Sequence, residues 1–194
     1  MTRGSADALA AILAALAGPG VRIAIASGSV PNGPGLYAIH GDPSVWIALG
    51  LGEPPDLRPL YVGKSESSLR DRDLRQHFAD GRTGSSTLRR SFAALLHERL
   101  KVRGVPRNLR NPESFSNYGL SPADDAKLTG WMMEKLAIAT WPWTGSLPLA
   151  SQEARVLLDL EPPLNLSGVT TEWSSHLRAR RAVLAAEARV WRQR

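Results

Sequence analysis

Two short β-like runs constrain the fold of this chain more than any other feature. They read GLYAIH at residues 35–40 and RPLYVGK at residues 58–64, and between them lie an apolar, hairpin-like run, SVWIALGLG, and the loop EPPDL. Parallel neighbours need a long crossover, usually a helix, whereas antiparallel strands can be joined directly. The pattern therefore predicts an α/β fold of the α+β kind, with a small central antiparallel or mixed sheet of about three strands and helices packed on it.

The other segments predict helices and further strands around this sheet. A helix over residues 6–16 ends at Gly18-Pro19-Gly20, and the VRIAIAS run after it alternates as a strand should. A helix is also expected after Gly63. The remaining expected elements are helices at 88–100 (capped by Ser85, Ser86 or Thr87), 121–136, 146–160 (opened by Ser151) and 174–194, a strand at 137–143, and a long polar loop over 104–121.

Composition limits the chemistry and the partners. The chain has no cysteine, which excludes disulfides, zinc–thiolate sites and thiol catalysis and suits a reducing interior. The formal net charge is +6, and the last 21 residues carry six arginines against a single acid, Glu187. This basic end favours a polyanionic partner, either nucleic acid or an anionic membrane.

The apolar N-terminal stretch ADALAAILAALAG has two interpretations. It has some features of a signal peptide. Against that are Asp7 inside the stretch, a length too short to span a bilayer, and the absence of cysteines downstream. We therefore expect an amphipathic helix in a cytoplasmic protein that does not enter the membrane.

Each of the two β-like runs places a tyrosine next to a glycine. Side chains alternate faces along a strand, so Tyr37 points away from Leu36, and Tyr61 points away from Val62. Both phenols are thus expected on one open surface, and Gly35 leaves room there for a ligand. Tyrosine is also common in strands, so two half-buried sheet residues are the alternative.

The residues that follow extend this pattern into a resemblance. After Tyr61-Val62-Gly63 come several cations and a histidine, and far downstream come Glu153 on a predicted helix and Asn165 in PPLNL. With GLY and YVG as the two halves of a signature, the chain resembles the GIY-YIG nuclease family over roughly residues 35–166. The residues that carry the resemblance are Tyr37, Tyr61, Arg72, His77, Glu153 and Asn165.

The resemblance implies three regions and a catalytic role for each matched residue. The regions are an N-terminal helix and strand extension at 1–28, a GIY-YIG-like nuclease domain at 29–168, and a basic C-terminal helix at 169–194. The implied reaction is DNA hydrolysis with one Mg²⁺ or Mn²⁺, held by Glu153 and acting as a Lewis acid. The implied roles are Arg72 on the phosphoryl group, Tyr37 as the base, Tyr61 and His77 as orienting groups, and Asn165 as a neutral strut.

Two spacings depart from the family pattern. The two tyrosines lie 61 − 37 = 24 residues apart, so a loop is inserted between the strands. Arg72 and His77 are five residues apart, or about 140° apart on a regular helix, and Arg70 or Arg75 therefore remains an alternative to Arg72. Arg72 is preferred because Leu69 precedes it as the family's leucine does.

Further cations are candidates for substrate binding, and each site residue also has a plainer interpretation. Lys64 and Arg75 lie within the signature region, and Arg89 and Arg90 lie near a predicted helix N-terminus, where backbone N–H groups favour phosphate. An arginine-rich helix is more often a solvated face. Glu153 alone would suit a helix surface. The alternatives to a DNA endonuclease are a non-catalytic nucleic-acid-binding module on the same scaffold and a membrane- or partner-binding protein that uses the basic terminal helix.

Overall fold

The computed structural model describes residues 3–71, 76–108, 117–143, 145 and 148–191, with the side chains of residues 3–6 left out. Predictions that fall on other residues, Arg72 and Arg75 among them, lie outside this part. In chain order the elements are α1 (Arg3–Ala17), β1 (Val21–Arg22), a 3₁₀ helix (Ile23–Gly28), β2 (Gly35–Gly41), α2 (Pro43–Ala48), β3 (Tyr61–Ser65), a 3₁₀ helix (Thr83–Ser85), α3 (Thr87–Leu95), α4 (His97–Leu100), β4 (Gly104–Pro106), β5 (Tyr118–Leu120), α5 (Pro122–Lys135), β6 (Leu136–Pro142), α6 (Leu149–Leu160) and α7 (Ser174–Val190).

The central sheet is antiparallel throughout and has the strand order β1-β6-β2-β3. Strand β2 lies inside the sheet, with Tyr37 opposite Gly63 on one side and opposite Thr140 on the other. Strand β3 is an edge strand. The predicted α+β class and the antiparallel sheet are confirmed, although the sheet has four strands where about three were expected.

Helices cover both faces of this sheet, and a separate hydrophobic cluster forms on each. Leu36 and Ala38 of β2 pack with Ile12 of α1 and Val156 of α6. The alternate residues of β2 face the larger cluster, which takes side chains from α3, α5 and α7. Both faces of β2 are therefore buried, and its side chains do not divide into a core face and an open face.

Local sequence signals explain where several helices begin. Asp42 caps α2 by accepting a hydrogen bond from the backbone N–H of Val45 at 3.1 Å, with Pro43 at the first helical position. Ser86 caps α3 in the same way through the N–H of Arg89 at 3.1 Å. Ser121 caps α5, and Asp124 and Asp125 lie in its first turn, where the helix dipole favours acids.

Four predictions about single elements are wrong. The SVWIALGLG run does not form a strand, because the Asp42-Pro43 pair starts helix α2 within it. In VRIAIAS only Val21–Arg22 is a strand, and a 3₁₀ helix follows. The loop predicted over 104–121 contains strands β4 and β5, which pair with each other. Helix α6 begins after Pro148 and not at Ser151.

The two flanking regions pack onto the centre. Helix α1 lies against β6 and α6, and helix α7 lies against β4 and α3. Among the helices of the described residues, none is both long enough and apolar enough to cross a membrane.

Candidate active site

Tyr37 lies in the core beneath the sheet surface. Its side chain is 0% exposed, and its hydroxyl lies 2.7 Å from Nε2 of His77, which is itself 2% exposed. The ring centroids of Tyr37 and Tyr61 are 6.1 Å apart, so the two phenols do share a face of the sheet. The prediction that both phenols face an open surface is nevertheless wrong for Tyr37, because the elements of the larger cluster cover this face.

His77 connects Tyr37 to the start of helix α3. Its Nδ1 lies 2.7 Å from Oγ of Ser86, and the same oxygen accepts the N–H of Arg89 as the helix cap. Either tautomer of the imidazole can serve this arrangement, since each ring nitrogen has a hydroxyl as its partner. The result is a buried chain of hydrogen bonds from Tyr37 through His77 to Ser86.

Gly63 gives the Tyr37 ring its place. The two residues are directly opposite each other in the β2–β3 pair. A Cβ on Gly63 would collide with the Tyr37 phenol, coming within 2.8 Å of Cε1 and closer still to the hydroxyl. The glycine of YVG is thus explained by close approach of a side chain, as its position in a strand predicts.

A groove runs along the edge of the sheet at β3, and we call it the edge groove. It has a volume of about 490 Å³. The residues of its wall that matter for chemistry are Tyr61, Thr87, Glu153, Asn165, Ser167 and Arg181. These residues come from β3, α3, α6, the segment after α6, and α7, so five parts of the chain meet at this surface.

Asn165 fixes the edge strand that carries Tyr61. Its Oδ1 accepts the backbone N–H of Val62 at 2.9 Å, and its Nδ2 donates to the Val62 carbonyl at 2.8 Å. The backbone N–H of Leu164 also donates to the Leu60 carbonyl, at 2.9 Å. The amide of Asn165 therefore takes the place of a further strand at the edge of the sheet, which agrees with the role of a neutral strut.

Glu153 is half-buried in the groove wall and lies close to Lys64. The side chain of Glu153 is 23% exposed, and its Oε2 is 3.7 Å from Nζ of Lys64. Lys64 also contacts Glu66 at 3.0 Å, and the pKa of Lys64 is raised, first by Glu66 and then by Glu153. Lys64 lines a second hollow of about 420 Å³ together with Glu66, so it lies between the two depressions.

The chemistry of these donors fits a weakly held Mg²⁺ or Mn²⁺. No group of three or more His, Cys, Asp or Glu side chains in the described part of the chain could hold a metal ion. Mg²⁺, however, usually keeps several waters and binds one or two carboxylates together with substrate phosphates. Glu153 on the wall of an open groove offers one such carboxylate. Among the described residues, Lys64 is a cation with which a metal at Glu153 would compete.

The three arginines predicted as candidates for the phosphate contact differ in what the structure shows of them. Arg70 donates from Nε and Nη2 to the Val30 carbonyl, at 3.2 and 3.1 Å, and so anchors the chain after β3. Arg72 and Arg75 lie outside the described residues, so their predicted roles on the phosphate stay predictions.

Arg89 is a structural residue, and its predicted role in substrate binding is wrong. Its side chain is 0% exposed and pairs with Asp125 at 3.0 Å. It also donates to the carbonyl of His77 at 2.9 Å and to the hydroxyl of Thr129 at 2.8 Å. A buried guanidinium with these partners holds α3, α5 and the His77 segment together and cannot reach a ligand.

Arg90 is also buried, so the prediction that it contacts a substrate phosphate directly is wrong. It is 6% exposed, and it donates to the carbonyl of Gly84 at 2.9 Å and to the hydroxyl of Thr87 at 3.1 Å. Its Nε is buried and has no hydrogen-bond partner among the described residues.

Sequence reasoning did not place Ser86 beside His77 or Arg181 at the edge groove. Ser86 appeared only as one of three possible helix caps, although a cap hydroxyl can also hold a histidine. Arg181 was one of six arginines in the terminal helix, and no local signal separates it from the others. Only the packing of α7 against α3 brings Arg181 to the edge groove.

Comparison with known proteins adds a family. A family model described as the GIY-YIG catalytic domain matches residues 53–183. The match includes Tyr61, Glu153 and Asn165, and it continues to the middle of α7, while Tyr37 lies before it. No curated protein and no solved structure gives a significant match.

Proposed function

The chain belongs to the GIY-YIG nuclease family, and on that premise we propose that it is an endonuclease that hydrolyses phosphodiester bonds in DNA with one Mg²⁺ or Mn²⁺. The observation that carries the proposal is the edge groove, where Tyr61 and Glu153 from separate elements line one open surface. An attacking water and a metal ligand are needed together at such a site.

Glu153 is the metal ligand in this proposal. A bound Mg²⁺ would act as a Lewis acid on the phosphate. Lys64, whose Nζ is 3.7 Å from Oε2 of Glu153, would be a neighbouring cation to a metal held there. Asn165 holds β3 in register with the groove, so that Tyr61 faces the phosphate.

Tyr61 is the better candidate for the general base, in place of Tyr37. Tyr61 lines the groove, whereas Tyr37 is buried and bonded to His77. A phenol with a pKa of about 10 needs roughly 4 kcal/mol for deprotonation at pH 7, from three units at 1.36 kcal/mol each. Cations beside the groove lower this cost, and Lys64 and Arg181 are candidates, since Arg181 lines the groove and Lys64 contacts Glu153 in its wall.

Tyr37 and His77 position the base and do not touch the substrate in this proposal. Their hydrogen-bonded pair lies on the same face of the sheet as Tyr61, with the Tyr37 ring 6.1 Å from the Tyr61 ring, and supports that face from the core. Arg72 or Arg75 is the candidate for stabilising charge on the phosphoryl group, since a guanidinium offers a planar fork that is always charged.

One observation favours a second candidate function, a nucleic-acid-binding module without catalysis. The Lys64–Glu153 contact already neutralises the carboxylate that a metal would need. In that case the groove would bind the backbone without cutting it.

A plasmid-nicking assay separates the two functions. The protein should convert supercoiled DNA to the open circle only with Mg²⁺ or Mn²⁺, and Glu153→Gln should slow nicking by about 10²–10³-fold, the range for loss of one transition-state contact. Asp159→Asn is the matched control, since Asp159 is an exposed acid on the same helix and should leave the rate unchanged. DNA binding without nicking by the unaltered protein would establish the binding module, and equal rates for Glu153→Gln and wild type would remove the metal role of Glu153.

A further inference from the structure

Three arginines from different elements lie close together, and one of them, Arg181, lines the edge groove. Arg90 comes from α3, Arg107 follows β4, and Arg181 comes from α7. In the part of the chain that the structure describes, no carboxylate lies within ion-pair distance of any of the three. Like charges gathered in this way repel one another, so the cluster needs an anion from outside to balance it.

The effect of the clustering is visible on Arg90. Burial, followed by the fields of Arg181 and Arg107, lowers the pKa of Arg90 to about 10. This side chain is fixed by Gly84 and Thr87, and its Nε has no hydrogen-bond partner within the part of the chain that the structure describes. Arg90 is therefore a rigid buried charge that adds positive potential behind the groove wall.

Arg181 is the member of the cluster that lines the edge groove. It is half-buried and lies close to the phenol of Tyr118. The Tyr118 hydroxyl donates its own hydrogen to the Arg90 carbonyl at 2.5 Å. Burial raises the pKa of Tyr118, so this phenol stays neutral and leaves the charge of Arg181 uncompensated.

We propose that Arg181, supported by Arg90 and Arg107, forms a subsite for a second backbone phosphate of the nucleic acid, next to the phosphate that is cut. The subsite rests on the proposed function, because Arg181 and Glu153 line the same groove. A planar, permanently charged guanidinium on the groove wall can present several N–H donors to phosphate oxygens. Thr87, at the first helical position of α3, adds the positive end of a helix dipole to the same wall.

This subsite would set the position of the nucleic-acid strand in the groove. It lies on α7 and α3, whereas Glu153 lies on α6. A nucleic acid that contacts both must cross the groove, so Arg181 would select the register of the backbone with no contact to the bases.

The test measures binding of a fluorescently labelled DNA duplex in EDTA, where no cleavage occurs, by fluorescence anisotropy at several salt concentrations. Arg181→Gln should weaken binding about tenfold or more, as for a lost charged hydrogen bond, and should reduce the slope of log K against log salt by about 0.9. Arg181→Lys should restore part of the affinity. Arg178→Gln, at an exposed position of the same helix outside the groove, is the matched control and should change binding much less.

The outcomes separate this subsite from the endonuclease proposal. Binding by Arg181→Gln with wild-type affinity and slope would overturn the subsite, and so would an equal loss in Arg178→Gln, which would show only an effect of net charge. A protein that binds DNA through Arg181 but never nicks it would keep the subsite and overturn the catalytic proposal. A wild-type protein that binds neither duplex nor single-stranded DNA would overturn both. The thermal unfolding of each variant, compared with wild type, detects any loss of binding that comes from misfolding.

Discussion

The hydroxyl of Tyr37 lies 2.7 Å from Nε2 of His77, and both side chains are buried. The pair joins the central strand β2 to the cap of α3, because the other nitrogen of the ring contacts Ser86 at 2.7 Å. Tyr61 lies against the same face, with its ring centroid 6.1 Å from that of Tyr37. The two tyrosines of the signature therefore have different environments, one inside the core and one in the edge groove.

This difference predicts different effects of removing the two hydroxyls. Tyr61→Phe should lower the nicking rate by about 10²–10⁴-fold, the usual loss for a general base, and should change the free energy of unfolding little. Tyr37→Phe leaves the buried Nε2 of His77 without its partner, so the free energy of unfolding should fall by about 1–3 kcal/mol. Plasmid nicking and urea unfolding, followed by tryptophan fluorescence, measure the two effects.

The reverse pattern of effects in the two variants would contradict this assignment. Loss of nicking in Tyr37→Phe with unchanged stability, together with wild-type nicking in Tyr61→Phe, would return the role of base to Tyr37. A Gly130→Ala variant is a control for the unfolding assay. Gly130 is exposed in helix α5 with open space at its Cβ, so alanine should raise stability by about 1 kcal/mol.

The sheet and the order of the site residues could be predicted from the sequence because both depend on short-range patterns. Alternation in residues 35–40 and 58–64 predicts the strands β2 and β3, and the lack of a helical signal between them favours antiparallel pairing. Helix α2 was missed because its apolar run carries no 3.6-residue period. Its only local signal is the N-cap at Asp42. Such a cap was read for α3 but not here.

Burial could not be predicted, since it depends on what packs over each face. The alternation of side chains along β2 is the same whether the face that carries Tyr37 is open or covered. Helices from distant parts of the chain cover that face. Arg89 is a similar case. Its position near a helix N-terminus suits a phosphate, yet Asp125, 36 residues away, turns it into a buried ion pair.

Because Lys64 lies between two acids, we expect substitutions of Lys64 and of Glu66 to change metal affinity in opposite directions. Its Nζ is 3.7 Å from Glu153 and 3.0 Å from Glu66, so a metal at Glu153 must displace it. Lys64→Gln should raise the affinity for Mn²⁺ severalfold, as an exposed ion pair is worth about 0.2–1 kcal/mol. Glu66→Gln should lower the affinity, because Lys64 then turns to Glu153 and a nearby negative charge is lost.

Electron paramagnetic resonance of free Mn²⁺ measures both affinities without reference to cleavage. Asp159→Asn should bind Mn²⁺ as wild type does, and Glu153→Gln should lose the site. A change in the same direction for Lys64→Gln and Glu66→Gln would contradict the competition between Lys64 and the metal.

The two hydrogen bonds of Asn165 to Val62 predict a pH-dependent variant. Asn165→Asp can accept the Val62 N–H in either charge state, but only its protonated form can donate to the Val62 carbonyl, as Nδ2 does in the wild type. The folded state thus favours the neutral acid and raises its pKa above the unfolded value of about 3.9. The added stability is complete below that unfolded value and is lost as pH rises through the raised folded pKa.

Urea unfolding between about pH 4 and pH 7 tests this prediction. Asn165→Asp should lose stability relative to Asn165→Ala as pH rises. Parallel curves for the two variants would show that the amide does not hold the edge strand.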